Sequence, residues 1–444
     1  MISRKTSLEK MSLPPNTTMS NSSQRGIPLP SDDLVIAAAL TALVLLIFQL
    51  KTIGVGVFSI VVVTAAVLKR DRLIANVNVR FVAIILGVGL LSTAWSQDRI
   101  ATLYYGIQIV LTALAGLILA SSGRPYSTLL GATISFAGYA VLSHLFGHYV
   151  PWEDGRSVFV GLTEGKNYYG GISGATALLS LALVYASMNR RHFLVTGFAL
   201  VGFVAGALGL VRSLATGFTI SAFVVCCLII YLNVYRVLSP KHRLGLMLYV
   251  IYAGVCIGAL VAWLHKDIST FFLAALHKDP TLTGRTQIWD IANDAIRHNF
   301  WLGTGQSAFW LPGNPFAERI WLANNMSSKS YFPLHNTYLE IMASLGFVGL
   351  CANVGVAGIL LFKQIRALFL TPTTLQIGWM AISFYFFFLM GVESFNLGAM
   401  NYNSIILTCA LAFSPPLPAE IKGAANSQGR AGTVKPADRD YMAA

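Results

Sequence analysis

The chain has 444 residues, of which 55% are hydrophobic and only 11% charged, with a mean hydropathy of +0.65. Ordinary globular chains carry about 25% charged residues. The composition therefore excludes a soluble multidomain enzyme, a disordered protein and a disulfide-rich secreted domain, and predicts an integral membrane protein. The formal charge of +13 would suggest nucleic acid as a partner in a soluble protein; here the placement of the basic residues matters more, and no nucleic acid is expected.

Residues 1–33 are polar, rich in Ser, Asn and Pro, and read as a solvated cytoplasmic tail. The first apolar stretch begins too late, and lacks the small-residue cleavage signature, for a removable signal peptide. A window of about 20 residues, enough to cross the hydrocarbon, then finds twelve candidate spans. They lie near 34–50, 53–68, 81–96, 101–121, 127–147, 168–187, 193–211, 214–235, 245–264, 337–362, 375–392 and 399–415. The first three and the last are short, so ten or eleven is the alternative count. Residues 416–444 form a second solvated tail. The expected fold is all-α and polytopic, with spans 1–9 in 34–264, a large loop over 265–336 and spans 10–12 in 337–415. Cys226, Cys227, Cys256, Cys351 and Cys409 all fall in apolar runs, so neither a disulfide nor a zinc site is predicted.

Lysine and arginine positions orient the chain. With the N-terminus inside, twenty of the 31 Lys and Arg residues lie in cytoplasmic segments. Six of the remaining eleven share the single loop 265–336. Both tails of this multi-pass protein are therefore expected in the cytoplasm, and the basic excess needs no anionic partner beyond the membrane lipid of the inner leaflet.

Two external segments are too long to be plain connectors: 148–167, and 265–336 between spans nine and ten. In the second, TQIWDIANDAIRH puts Ile288, Ala292, Ala295 and Ile296 on one side of a helix, with Asp290, Asp294 and Arg297 elsewhere. That pattern predicts a short amphipathic helix lying on the membrane surface. Gly303, Gly305, Pro312, Gly313 and Pro315 then break the chain before it re-enters at Leu334. Neither a phosphate-binding loop, a dinucleotide fingerprint nor a zinc-protease His pair occurs, so no metal and no cofactor is expected.

Charged residues at the outer boundary are the candidates for chemistry. Arg285 stands at the first turn of the amphipathic helix, where free N–H groups and the dipole favour an anion; the alternative is a helix-end arginine in water. Arg212 has almost no loop around it, and a charge so close to hydrocarbon either snorkels or binds something. Lys166 and Asn167 lead into span six, as interfacial anchors or ligand-binding groups. His335 opens span ten, where imidazole can accept a hydroxyl proton or play a structural part. Asn336 beside it and Glu340 one turn on could orient the ring or the ligand. His144 and His148 read as ordinary interfacial residues.

WSQD (Trp95–Asp98), GLTEGKN (Gly161–Asn167), GRTQIWD followed by WLGTG (Gly284–Gly305) and HNTYLEIMASLGFVG (His335–Gly349) occur in that order. With this series the chain resembles the bacterial O-antigen ligase/polymerase superfamily, and is most similar to the ExoQ-type exopolysaccharide polymerases. The resemblance runs from about residue 85 to 410. It implies a fold related to the lipid-dependent, GT-C-like glycosyltransferases. It further implies metal-independent transfer of an oligosaccharide from an undecaprenyl-diphosphate carrier to an acceptor glycan at the periplasmic face. By the same resemblance the family's loop arginine corresponds to Arg285, its loop-end histidine to His335, its Lys-Asn step to Lys166-Asn167, and a further arginine to Arg212. The last match departs from the family pattern, because VRSLATG stands where many members have Ser-Arg or Ser-Lys. Other polysaccharide export proteins are implied partners.

The residues fit this chemistry by themselves. A diphosphate is a good leaving group, so positioning and charge stabilisation are the main needs. An O-antigen ligase that passes polymer to lipid A-core is one alternative. A transporter or flippase of lipid-linked sugars is another, although transporters keep ionisable residues near the bilayer midplane and these spans are nearly uncharged there.

Overall fold

The structure is a computed structural model. It describes residues 31–413 apart from 152–154, 156, 240, 243–244, 250–251, 253–284, 327–328, 371 and 396–397. The helices are α1 (Asp32–Leu45), α2 (Ile47–Leu68), α3 (Arg70–Ala75), α4 (Asn78–Leu91), α5 (Arg99–Ala120), α6 (Pro125–Phe146), α7 (Lys166–Asn189), α8 (Phe193–Ser213), α9 (Thr216–Val237), α10 (Arg285–His298), α11 (Pro315–Ala323), α12 (Thr337–Leu370), α13 (Thr374–Met390) and α14 (Tyr402–Ala412). Between α6 and α7 lies an antiparallel hairpin of β1 (His148–Pro151) and β2 (Ser157–Gly161).

Seven of the described helices, α2, α5, α6, α7, α8, α9 and α12, are long and apolar enough to cross a membrane. The stretch Asn78–Ala94, α13 and α14 are shorter apolar helices. Eleven of the twelve expected spans thus coincide with a helix, and the ninth lies mostly outside the described residues. The protein is a polytopic helical membrane protein.

Helix α7 is buried along nearly its whole length. Its sequence explains how: Gly, Ala, Ser and Thr let neighbouring backbones come close, as helices in lipid do when packing rather than the hydrophobic effect drives association. Gly206 of α8 marks one close backbone approach, since a Cβ there would stand 2.7 Å from Ala177 N and Ser173 O on α7.

Polar side chains gather at the two ends of the bundle. At one end Asp33 pairs with Lys69 at 2.7 Å and Arg72 at 3.2 Å, and Lys363 donates to Asn78 Oδ1 at 2.8 Å. The Asn78 amide also donates to the Ala412 carbonyl at the end of α14. At the other end the WSQD and WLGTG segments meet: Trp95 Nε1 donates to Leu302 O at 2.8 Å, and Gln97 N to Thr304 O at 3.0 Å.

The segment 300–305 also threads a break in α12. Gly346 adopts φ +64°, and a Cβ there would lie 2.4 Å from Leu302 N and Trp301 C, so only glycine fits. Freed donors Phe347 N and Val348 N bond Phe300 O and Trp301 O, while the freed Ala343 and Ser344 carbonyls accept from Thr304 N and Gly305 N. Non-helical backbone at such depth needs its polar groups met by protein, and here the loop meets them. Residues 337–345 are thereby set off from the rest of α12 and bonded at their end to the 300–305 segment.

Helix α10 buries Ile288, Ile291, Ala292, Ala295 and Ile296 against Trp310, Ala317, Ile320, Trp321 and Leu334. The apolar stripe that the sequence places on a membrane surface is therefore covered by the protein's own loop. The indoles and alanines of 308–321 supply enough apolar area to make a second small core.

Candidate active site

Residues 329–334 approach α12 under tryptophan control. Trp321 Nε1 donates to Ser330 O at 2.9 Å, Trp289 Nε1 to Leu334 O at 2.8 Å, and Trp310 Nε1 to Glu340 Oε1 at 2.6 Å. Lys329 and the Gly313 N–H beside Glu318 hold its carboxyl below the usual carboxylate range, and the ion pair at 2.7 Å ties this strap to α11. His335 then follows in the left-handed region, at φ +51°, a conformation uncommon for a residue with a Cβ and found most at constrained functional positions. Asn336 caps the helix, its Oδ1 accepting from Tyr338 N and Leu339 N.

The side chain waiting for His335 is Glu393, in the turn after α13. His335 Nδ1 lies 2.9 Å from Glu393 Oε2. The other carboxylate oxygen takes Arg285 Nη2 at 3.3 Å and Asn167 Nδ2 at 3.2 Å. Arg285 Nη1 also donates to Val392 O, and Thr337 Oγ1 to Glu393 O at 2.8 Å. One carboxylate in the turn after α13 thus joins α7, α10 and the residue two places before α12. Its side chain is 12% exposed, with Arg285 at 17% and His335 at 19%, so the cluster is shielded but reachable. Because the carboxylate accepts, Nδ1 carries an imidazole proton, which leaves Nε2 as the ring nitrogen that can exchange a proton with a ligand.

Of the residues singled out in the sequence, Arg285, His335 and Asn167 converge on Glu393. Lys166 is the first residue of α7, half-buried beside Asn167. Glu340 takes a different place from a ligand-facing one. It is buried, and besides Trp310 it accepts from Leu334 N at 3.1 Å and Ser394 Oγ at 3.1 Å, so it braces the strap that carries His335. Asn336 is likewise engaged as a cap. Arg212 does not join the cluster: its guanidinium bonds Tyr149 Oη at 2.9 Å and His144 Nδ1 at 2.9 Å, and lies 4.2 Å from the centre of the Phe159 ring. His144, read from the sequence as an ordinary interfacial residue, is thus an arginine ligand.

Glu393 is the member of the cluster that sequence reasoning misses. A signal exists, because it is the only charged residue between Arg366 and Glu420, and an ionisable group among spans is a site hypothesis by default.

An apolar cleft of about 90 Å³ opens beside the cluster, lined by residues of α4, α12, α13 and α14 that include Ile85, Ile341, Leu360, Phe387 and Leu407. Thr337 and Phe395 line it as well, and Phe395 N donates to the same Thr337 hydroxyl that bonds Glu393.

Residues 201–354 match the O-antigen ligase family. Arg212, Arg285, His335, Asn336 and Glu340 fall inside the matched residues, whereas Lys166, Asn167 and Glu393 fall outside them. Over 279 residues the chain is 30% identical to the exopolysaccharide production protein ExoQ of Rhizobium meliloti (strain 1021), a match covering 62% of each chain. The chain thus spans less than two thirds of the length of that curated relative. Both similarities support the O-antigen ligase/ExoQ-type superfamily that the motif series suggests.

Proposed function

We propose that the protein is an exopolysaccharide polymerase that transfers an oligosaccharide from an undecaprenyl-diphosphate carrier to an acceptor glycan at the periplasmic face of the inner membrane. The observation that carries this reading is the His335–Glu393–Arg285 cluster, in which one carboxylate holds the imidazole through Nδ1 and the guanidinium through Nη2. The acceptor hydroxyl oxygen attacks the anomeric carbon, and its proton passes to His335 Nε2. The bond from that carbon to the diphosphate oxygen breaks, the electron pair leaves on the diphosphate, and the carbon inverts. Glu393 fixes the tautomer and stabilises the imidazolium that forms, the part a buried carboxylate plays behind a catalytic histidine. Arg285, with Asn167 and Lys166 nearby and Arg212 on the hairpin side, binds the diphosphate and takes up its developing charge. The apolar cleft that shares Thr337 and Phe395 with the cluster suits an isoprenoid chain.

The test is polymerisation by purified, folded protein on a carrier-linked repeat unit. His335→Ala and His335→Gln should each lower turnover by about 10²–10⁴-fold while donor binding survives. Near-normal turnover by the Gln variant would end the general-base assignment. A deletion strain separates polymerase from ligase: lost exopolysaccharide with intact lipopolysaccharide supports the polymerase, and accumulated carrier-linked polymer supports the ligase.

A further inference from the structure

The hairpin side of the bundle builds a second arginine site, whose side-chain supports His144, Tyr149 and Phe159 lie outside the family match. Tyr149 on β1 and Phe159 on β2 are cross-strand partners. Tyr149 Oη accepts from both Arg212 Nε at 3.3 Å and Nη2 at 2.9 Å. Arg212 Nη1 lies 2.9 Å from His144 Nδ1, and the opposite ring nitrogen, Nε2, lies 2.9 Å from Ala205 O. An arginine can only donate and a carbonyl can only accept. The two contacts together therefore demand a neutral His144 with its proton on Nε2. Phe159 stacks on the His144 ring with planes 2° apart and lies beneath the guanidinium at 4.2 Å, an attractive place for a cation.

A guanidinium has five N–H donors. These contacts engage three and leave one on each terminal nitrogen. We propose that His144 and Tyr149 are positioning residues for Arg212: they fix the plane of its guanidinium so that the two remaining N–H groups are presented together to a diphosphate oxygen. A free arginine side chain loses rotamer entropy on binding, and the nest removes part of that loss before the ligand arrives. The inference rests on the reading of Arg212 as a donor ligand.

The experiment measures donor KM and kcat on the carrier-linked repeat unit for the full chain carrying Arg212→Ala, His144→Phe, His144→Gln, Tyr149→Phe, or both Arg212→Ala and His144→Phe. His144→Phe and Tyr149→Phe should each raise donor KM about tenfold, with kcat changed less. His144→Gln, whose amide offers an acceptor and a donor, should recover most of the loss. The double variant should be no worse than Arg212→Ala alone, because residues acting through one another are not additive. Additive losses, or a His144→Phe protein with wild-type KM, would overturn the positioning role. Tyr149→Phe removes one hydroxyl from a half-exposed ring, so a folded variant is at hand should His144→Phe fail to accumulate; wild-type KM in it would also overturn the proposal. An Arg212→Ala protein with wild-type kinetics would instead defeat the assignment of Arg212 to the donor.

Discussion

His335 and Glu393 face each other across 2.9 Å although 58 residues separate them in sequence. The pair exists because α12 begins where the turn after α13 ends, and Thr337 locks that junction by donating to Glu393 O and accepting from Phe395 N. A carboxylate in this place does two things at once: it selects the imidazole tautomer, and it offers its second oxygen to Arg285 and Asn167.

Glu393→Gln should therefore keep the fold but lower turnover by at least tenfold, since the amide can donate to Nδ1 and reverse the tautomer. Glu393→Ala should also lower thermal stability, by about 2–3 kcal/mol, because it strips charged hydrogen bonds from partly buried donors. Turnover and a melting curve on the two purified variants check both. A Gln variant with normal turnover would detach Glu393 from the chemistry.

Arg285→Lys keeps the charge and removes the planar fork. A charge-assisted hydrogen bond contributes about 1.5–3 kcal/mol, so activity should fall at least tenfold. Polymer yield at wild-type level in this variant would mark Arg285 as a surface charge.

Gly346→Ala should destabilise the protein strongly. The added methyl meets the Trp301 carbonyl group and Leu302 N, and the residue sits at φ +64°, where strain alone costs about 1–3 kcal/mol. A fall in melting temperature, with hydrogen exchange rising first in 300–305 and 343–348, is the expected outcome. An unchanged melting curve would show that α12 can straighten.

The proposed topology is testable with single cysteines and a membrane-impermeant reagent on intact spheroplasts, in a background without the native cysteines. Leu322, 81% exposed on α11, should label when replaced by Cys, and Leu194, 93% exposed at the start of α8, should not. The reverse pattern would put the cluster in the cytoplasm. Trp310 would be a poor probe, because it is buried in the core of the loop.

Much of the bundle is legible in the sequence because apolar length alone places a span, and the Arg285 and His335 candidates follow from charges at span ends. The Glu393 cluster is harder to see, since its partners stand 58, 108 and 226 residues away and only the packed bundle joins them. The Arg212 nest depends on a strand pairing that puts Tyr149 opposite Phe159, and neither strand is long enough to announce itself. Glu340 misleads for a different reason. One turn beyond a histidine, a carboxylate looks like a ligand-facing group until the Trp310 indole and the Leu334 N–H are seen to hold it.

The composition of α7 bears on how the chain is made. This helix contributes Asn167 to the cluster, yet it carries more Ser than the neighbouring α8 and α9 and is buried by other helices along nearly its whole length. A segment that draws its stability from neighbouring helices gains less from entering hydrocarbon alone. Its place in the bilayer is secured when α6 and α8 close around it, and Gly206 can seat against Ala177 only after α8 has been synthesised and inserted. The Glu393 cluster can therefore be complete only after the turn beyond α13 has been synthesised and has met the asparagine that α7 holds out.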